Sequence, residues 1–310
     1  MSEHDMATVL PSEPVVAAEQ GIVKHYYELT KPGITQMVAL TTLVGYYVAI
    51  PVDLMTFAST WQNWWHFLAT MAGTVCVSAG SCVANHILEK NDDAQMKRTA
   101  SRPLPAGIIT TAQAIVFTIV LTIVGIAFLT STNTLTVVLA IATWLSYVIV
   151  YTPMKKVSSL AVLVGGIPGA LPFMGGWTAV RDSVDGTAWA LFAILFFWQL
   201  PHFYALSWMY RTDYREGGYA LRSVRDANGR YLAWQKIVTS ICTTACLIVP
   251  TLLGATGWLY GIGASVLGAW LTLESVAFLR DQSTAKARRV LLTSYAVLMG
   301  SLLLMVLDKR

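Results

Sequence analysis

Charge is what this sequence has least of. Only 12% of its 310 residues are Asp, Glu, Lys or Arg, against 55% hydrophobic, and mean hydropathy is +0.57. A soluble domain of this size does not build a core large enough to bury so much apolar surface. Apolar stretches of roughly 18 to 25 residues recur instead, the length a helix needs to cross a bilayer. Arginine is missing from residues 1–24, which are polar and carry Glu3, Asp5, Glu13 and Glu19. That absence argues against a mitochondrial presequence, and the lack of a short apolar core argues against a secretory signal. The expected organisation is a mobile tail over residues 1–27 followed by one transmembrane domain over 28–310. Cysteine is scarce too. Cys76, Cys82, Cys242 and Cys246 all lie in apolar runs, where a free thiol behaves as a small hydrophobe. Cys242 and Cys246 share a helix face, but no His or carboxylate nearby completes a metal set.

The few charges are unevenly placed. Hydropathy predicts nine spans, at roughly 33–53, 64–88, 109–130, 133–151, 160–180, 187–210, 236–254, 256–279 and 288–307. With that count, 18 of the 21 Lys and Arg residues fall on one side, leaving Arg181, Lys309 and Arg310 on the other. The positive-inside rule then puts the N-terminus in the cytoplasm and the C-terminus outside. The net charge of +4 reflects these loops and implies no nucleic-acid partner.

The densest charge lies between Asn85 and Pro105, with Glu89, Asp92, Asp93, Lys90, Lys97, Arg98 and Arg102 in a short span. Asn85, Glu89 and Asp93 are four residues apart, so on a helix their oxygens share one face. Such oxygens suit Mg²⁺, which binds through a few carboxylates and leaves positions for substrate phosphates. Arg98 and Arg102 are placed for those phosphates. The segment alone equally fits a solvated, mixed-charge cap on a membrane helix.

A second charged loop, Arg211 to Tyr219, follows span six on the same side, and Asp213 there offers another metal carboxylate. Two such loops hint at halves related by duplication. His202, eleven residues before Asp213, projects onto the same helix face roughly 16 Å deeper, with Gln199 continuing the stripe and Pro201 able to kink it. A polar side chain at that depth faces a cavity or the bundle interior. It is either a packing histidine or a substrate contact, an axial ligand if the substrate is a haem. Span five carries five glycines and two prolines between Gly165 and Trp177, which reads as a cavity wall or as close small-residue packing. Lys155 and Lys156, after Tyr151, either neutralise phosphate or only set topology.

Together these segments resemble the UbiA superfamily of intramembrane prenyltransferases, and within it the haem O synthase branch. The resemblance runs over about residues 28 to 305. It rests on the Asn85, Glu89, Asp93 spacing; on Arg98-Thr99 and Arg102-Pro103-Leu104; on Lys31-Pro32; and on Tyr151-Thr152 with Lys155. Gly165-Gly166 through Val180 adds to it, and Phe197-Trp198-Gln199-Leu200-Pro201-His202-Phe203-Tyr204-Ala205-Leu206 with Asp213-Tyr214 is its most diagnostic part. Two departures stand out: Gly217 replaces a frequent second Asp, and Tyr219 to Val224 replaces a more apolar run.

The resemblance implies an all-α membrane protein, nine transmembrane helices around a central cavity open to the cytoplasmic side of a bacterial inner membrane. It implies farnesyl transfer from farnesyl diphosphate to a vinyl group of haem b, the haem being substrate. It further implies Mg²⁺ on Asn85, Glu89, Asp93 and Asp213, and diphosphate on Arg98, Arg102, Lys155 and Lys156. Trp198, Gln199, His202 and Tyr151 are expected to line the haem and prenyl cavity, with haem A synthase or oxidase assembly proteins as candidate partners. The rival readings are a related enzyme with another aromatic acceptor, such as 4-hydroxybenzoate, and a haem transporter or assembly factor without chemistry.

Overall fold

The computed structural model describes residues 21–51 and 53–310. The chain opens with α1 (Ile22–Leu29), α2 (Pro32–Ala49), α3 (Leu54–Ala58), α4 (Trp61–Leu88) and α5 (Lys90–Asp93). After a long loop come α6 (Thr111–Leu129) and α7 (Thr134–Leu145), which runs through a π-helical stretch, Ser146–Tyr151, into α8 (Thr152–Val157). Then follow α9 (Ala161–Arg181), α10 (Gly186–Met209), α11 (Arg211–Glu216) and α12 (Arg222–Arg225). The last are α13 (Arg230–Leu247), α14 (Val249–Leu252), α15 (Trp258–Arg280) and α16 (Thr284–Leu307). The expected tail boundary at residue 27 falls inside α1, and residues 1–20 lie outside the described residues.

Eight described helices are long and apolar enough to cross a membrane. The first predicted span, 33–53, is α2, only 18 residues long and not among those eight. Its inward side meets α9 rather than lipid. An ideal Cβ on Gly45 would stand 2.3 Å from the Phe173 carbonyl oxygen, and one on Gly176 only 2.2 Å from that of Thr42. Two backbones approach this closely only where side chains are missing. The α9 prolines do not break it: the helix is continuous over Pro168 and Pro172, and Thr42 donates to the Pro172 carbonyl from α2 (3.2 Å). Both meanings of its glycines are realised, since Gly176 packs against α2 while Gly165, Gly169 and Gly175 line a cavity.

Loop residues set the helix starts. Asn133 caps α7 through the Thr136 amide (2.8 Å), Asp185 caps α10 through Thr187 and Ala188, and Thr110 with Gln113 forms a reciprocal capping box on α6. Each satisfies amides that would otherwise lack partners at a membrane surface. Lys309 donates to the Ile50 carbonyl (2.8 Å) and the Arg310 amide to Ala255 (3.1 Å). The C-terminal strip thereby ties off the end of the bundle that carries few charges.

Candidate functional site

At the basic end, α4 stops at Leu88 because Glu89 leaves helical geometry (φ −95°, ψ 4°). The i to i+4 rhythm nevertheless survives, with the Glu89 amide bonded to Asn85 (3.0 Å) and the Asp93 amide to Glu89 (2.8 Å). The stripe expected of one helix therefore persists across the break between α4 and α5. Asn85, Glu89 and Asp93 are all buried, at 0%, 5% and 1% exposure. A solvated cap is thus ruled out.

Each of the three meets a cation from elsewhere in the chain. Lys31 donates to Asn85 Oδ1, and Asn85 Nδ2 donates to Thr152 Oγ1 (2.9 Å). Lys155 pairs with Glu89. Arg102 pairs with Asp93 (2.8 Å), whose same oxygen lies 3.6 Å from His86 Nδ1. Burial opposes ionisation of both carboxyls, but Lys155 and Lys31 outweigh it at Glu89, as His86 and Arg102 do at Asp93; both are held below the usual range. At Lys31 burial dominates, lowering the ammonium to about 8 against the pull of Glu89. Its backbone is left-handed (φ 48°), a conformation a lysine adopts only under constraint.

Lys31, Glu89, Asp93, Arg98, Arg102 and Lys155 all line one cavity of about 320 Å³ that continues between apolar and aromatic walls. The π-helical stretch helps shape it: Tyr147 and Tyr151 both line the cavity, their rings 5.5 Å apart. Lys155 Nζ sits 4.7 Å from the Tyr151 ring centre. A widened helical turn of this kind recurs at functional sites. The second charged loop closes the mouth through Tyr214 and Tyr219, anchored where the Ala220 amide bonds the Lys155 carbonyl (2.9 Å).

Other predicted residues fall elsewhere. Asp213 is on the rim, 3.8 Å from Arg98, and does not line the cavity. Lys156 is half exposed and pairs with Asp92 (2.8 Å). Gly217 is backed by Met96, whose sulfur would lie 3.0 Å from an added Cβ, so a side chain here, such as the second Asp of the wider superfamily, would have to displace the Met96 thioether slightly. Gln199 and Tyr151 do line the cavity. Trp198 and His202 instead turn to α16. Trp198 Nε1 donates to the Ser294 carbonyl (2.6 Å) and His202 Nδ1 pairs with Ser294 Oγ (2.9 Å), with the Tyr295 ring edge-on and its centre 4.8 Å from that of the imidazole. The Gln199–His202 stripe is divided between two faces. His202→Ala is accordingly expected to lower stability by about 1–3 kcal/mol, the loss of a buried hydrogen bond and its packing, with product formation within threefold of wild type (about 0.6 kcal/mol). Thermal melting in detergent and a turnover assay check both halves.

Sequence reasoning overlooked Lys31 as a site residue, together with Tyr147 and the Tyr214–Tyr219 pair. Only Lys31 left a signal, a lysine directly before the proline that opens α2.

Hard oxygens from Glu89 and Asp93 on the cavity mouth fit a Mg²⁺ ion that shares its coordination with phosphate oxygens; Asn85 does not line the cavity, and its Oδ1 accepts from Lys31. These oxygens do not make an all-protein cage. Among the described residues no three His, Cys, Asp or Glu side chains are grouped to hold a metal by themselves.

Residues 38–301 match the family described as the UbiA prenyltransferase family. The chain belongs to that family. A protoheme IX farnesyltransferase of Solibacter usitatus is 36% identical over 294 residues, 93% of this chain and 99% of that protein. One of Salinibacter ruber is 38% identical over 284 residues, covering 91% and 98%. Among solved structures, a digeranylgeranylglyceryl phosphate synthase superposes with a TM-score of 0.73 at 17% identity, covering 92% of this chain and 98% of that one. A UbiA homologue from Archaeoglobus fulgidus bound to GPP and Mg²⁺ gives 0.63 at 15% identity, covering 91% and 99%. At such identities the structural likeness establishes the UbiA fold alone, and it agrees with the helical architecture above.

Proposed function

We propose that this protein transfers the farnesyl group of farnesyl diphosphate to a vinyl group of protohaem IX, forming haem O. The observation that carries the reading is the convergence of two buried carboxylates and four cations on the mouth of one apolar cavity. The nearly full-length identity to named protoheme IX farnesyltransferases selects the acceptor.

The residues supply binding, charge and exclusion of water. Lys31, Arg98, Arg102 and Lys155 take up the negative charge of the diphosphate, Lys155 and Arg102 exchanging part of their carboxylate pairing for phosphate oxygens. Asn85, Glu89 and Asp93, with Asp213 at the rim, would hold Mg²⁺, which when bound neutralises the diphosphate as a leaving group. Stabilising charge that develops on the departing group is the main catalytic term available here. When the C1–O bond breaks, its electron pair leaves with the diphosphate. The allylic cation remains between aromatic and apolar walls that keep bulk water away. The vinyl π pair then forms the new C–C bond, and water captures the resulting cation beside the porphyrin. Lys156, on the outer side of the site, serves Asp92 and the basic face. That face is cytoplasmic in this reading, in a bacterial inner membrane, with the farnesyl tail reaching towards the lipid core.

Purified protein incubated with haem b, farnesyl diphosphate and Mg²⁺ is expected to yield haem O by mass, and no product when the divalent ion is chelated. Farnesylation of 4-hydroxybenzoate instead, or haem binding without diphosphate release, refutes the proposal.

A further inference from the structure

Capture by water poses a problem for a cavity that must otherwise be dry: one water has to be present, and held so that its lone pair faces the new cation. We infer that Gln199 holds it. This rests on the farnesyl-transfer reading above and assigns a step within it.

Gln199 lies on α10 with 4% exposure and lines the cavity. Its Nε2 donates to the Gly166 carbonyl of α9 (2.7 Å). That bond fixes the amide, because the reversed orientation would set oxygen against oxygen. Oε1 is left facing the wall at Gly169, where an added Cβ would stand only 2.2 Å from it. A slot in α9 is thus shaped around this oxygen, which accepts no hydrogen bond from a described residue. The neighbouring lining is apolar: Pro168, Pro172, Phe203 and Leu206. The cavity hydroxyls of Ser81, Thr143 and Ser207 donate to carbonyls of their own helices. Gln199 Oε1 is therefore an oriented acceptor without a donor, while Tyr147 and Tyr151, which also line the cavity, carry hydroxyls that can donate as well as accept.

Its depth suits the chemistry. Tyr151, beneath Lys155, packs on Gly165, whose added Cβ would lie 2.5 Å from the Tyr151 ring. Gly169 is one turn further along α9, ~6 Å below. In the farnesyl-transfer reading, C1 of a farnesyl group held at the diphosphate site would reach the Tyr151 level. The vinyl carbon that becomes cationic is two bonds beyond C1, past the vinyl carbon that takes the new C–C bond. A water donating one O–H to Oε1 keeps a lone pair for that carbon. The C–O bond forms from this pair, and the released proton passes to the departing diphosphate. Without an oriented water, the cation instead loses a proton from the adjacent carbon and closes to an alkene. The product is then lighter by one water.

Gln199→Met keeps length and bulk but removes the acceptor. Gly169→Ala leaves Gln199 in the chain and displaces its oxygen. In both variants the ratio of dehydrated to hydroxylated farnesyl haem, read by mass, is expected to rise about tenfold over wild type, the partition set by one lost orienting hydrogen bond. A purely structural role would lower total product without moving this ratio. An unchanged ratio in Gln199→Met overturns the assignment; if that variant does not fold, an unchanged ratio in Gly169→Ala does so. Wild-type protein yielding no farnesylated haem of either mass refutes farnesyl transfer itself, a result distinct from a transfer that proceeds with an unchanged ratio.

Discussion

Asp93→Asn is expected to cut farnesyl transfer on the order of 10³-fold, the scale of losing a main electrostatic stabiliser, while the protein remains folded. The side chain keeps its size, and the bond that orders the following loop, from Thr99 Oγ1 to the Asp93 carbonyl (2.8 Å), involves only backbone on the Asp93 side. What disappears is a buried anion that Arg102 and His86 hold charged. An amide oxygen is a weaker ligand for a hard divalent cation than a carboxylate, so affinity for Mn²⁺, read by its paramagnetic signal, should fall together with turnover. Wild-type turnover in this variant would remove the metal role. The pH dependence follows from the direction of the shifts. Glu89 and Asp93 have folded values below their ordinary 4.5 and 3.8. The stability they contribute is therefore complete above those values and is lost as pH falls through the lowered range.

Lys155→Met is expected to do something different: it should damage both the fold and the chemistry. Lys155 and Glu89 are paired with side-chain exposures of 13% and 7%. Removing Lys155 leaves the Glu89 carboxylate buried with only Lys31 to offset it, and breaking such a pair costs about 3–5 kcal/mol. Activity should drop at least 10²-fold, because the same ammonium faces the diphosphate site. The double variant Glu89→Gln, Lys155→Met separates the two effects. With both charges removed, most of the melting temperature should return, whereas transfer should not. Recovery of activity along with stability would mean that the pair is only structural.

These two experiments address residues of unequal legibility. The Asn85, Glu89, Asp93 stripe could be read directly, since a four-residue spacing on a helix needs only local geometry to put three oxygens on one face. Lys155 takes its diphosphate role from the family resemblance and not from its position, because a basic residue at a membrane surface satisfies topology whether or not it points inward. Lys31 went unassigned for a similar reason: its bond to Asn85 joins residues 54 positions apart. Trp198 and His202 mark where sequence left two readings open, and both side chains bond Ser294 of α16. Their helix, α10, is apolar around its whole circumference and meets α9, α13 and α16. Nothing in its periodicity tells which side faces the cavity and which side faces a serine on another helix.

Sequence by itself determined the membrane class, the separation of 18 basic residues from three, and the acidic stripe on which the site is built. These depend on composition and on contacts within about one helical turn, both written along the chain. Tertiary structure alone decided which cation meets which carboxylate, that Gln199 faces the cavity while His202 faces Ser294, and that α2 lies against α9 through Gly45 and Gly176. In a bilayer, lipid and protein interior are both apolar, so hydrophobic pattern cannot assign a helix face. Only the packing of small residues, and partners for buried polar atoms, can do so.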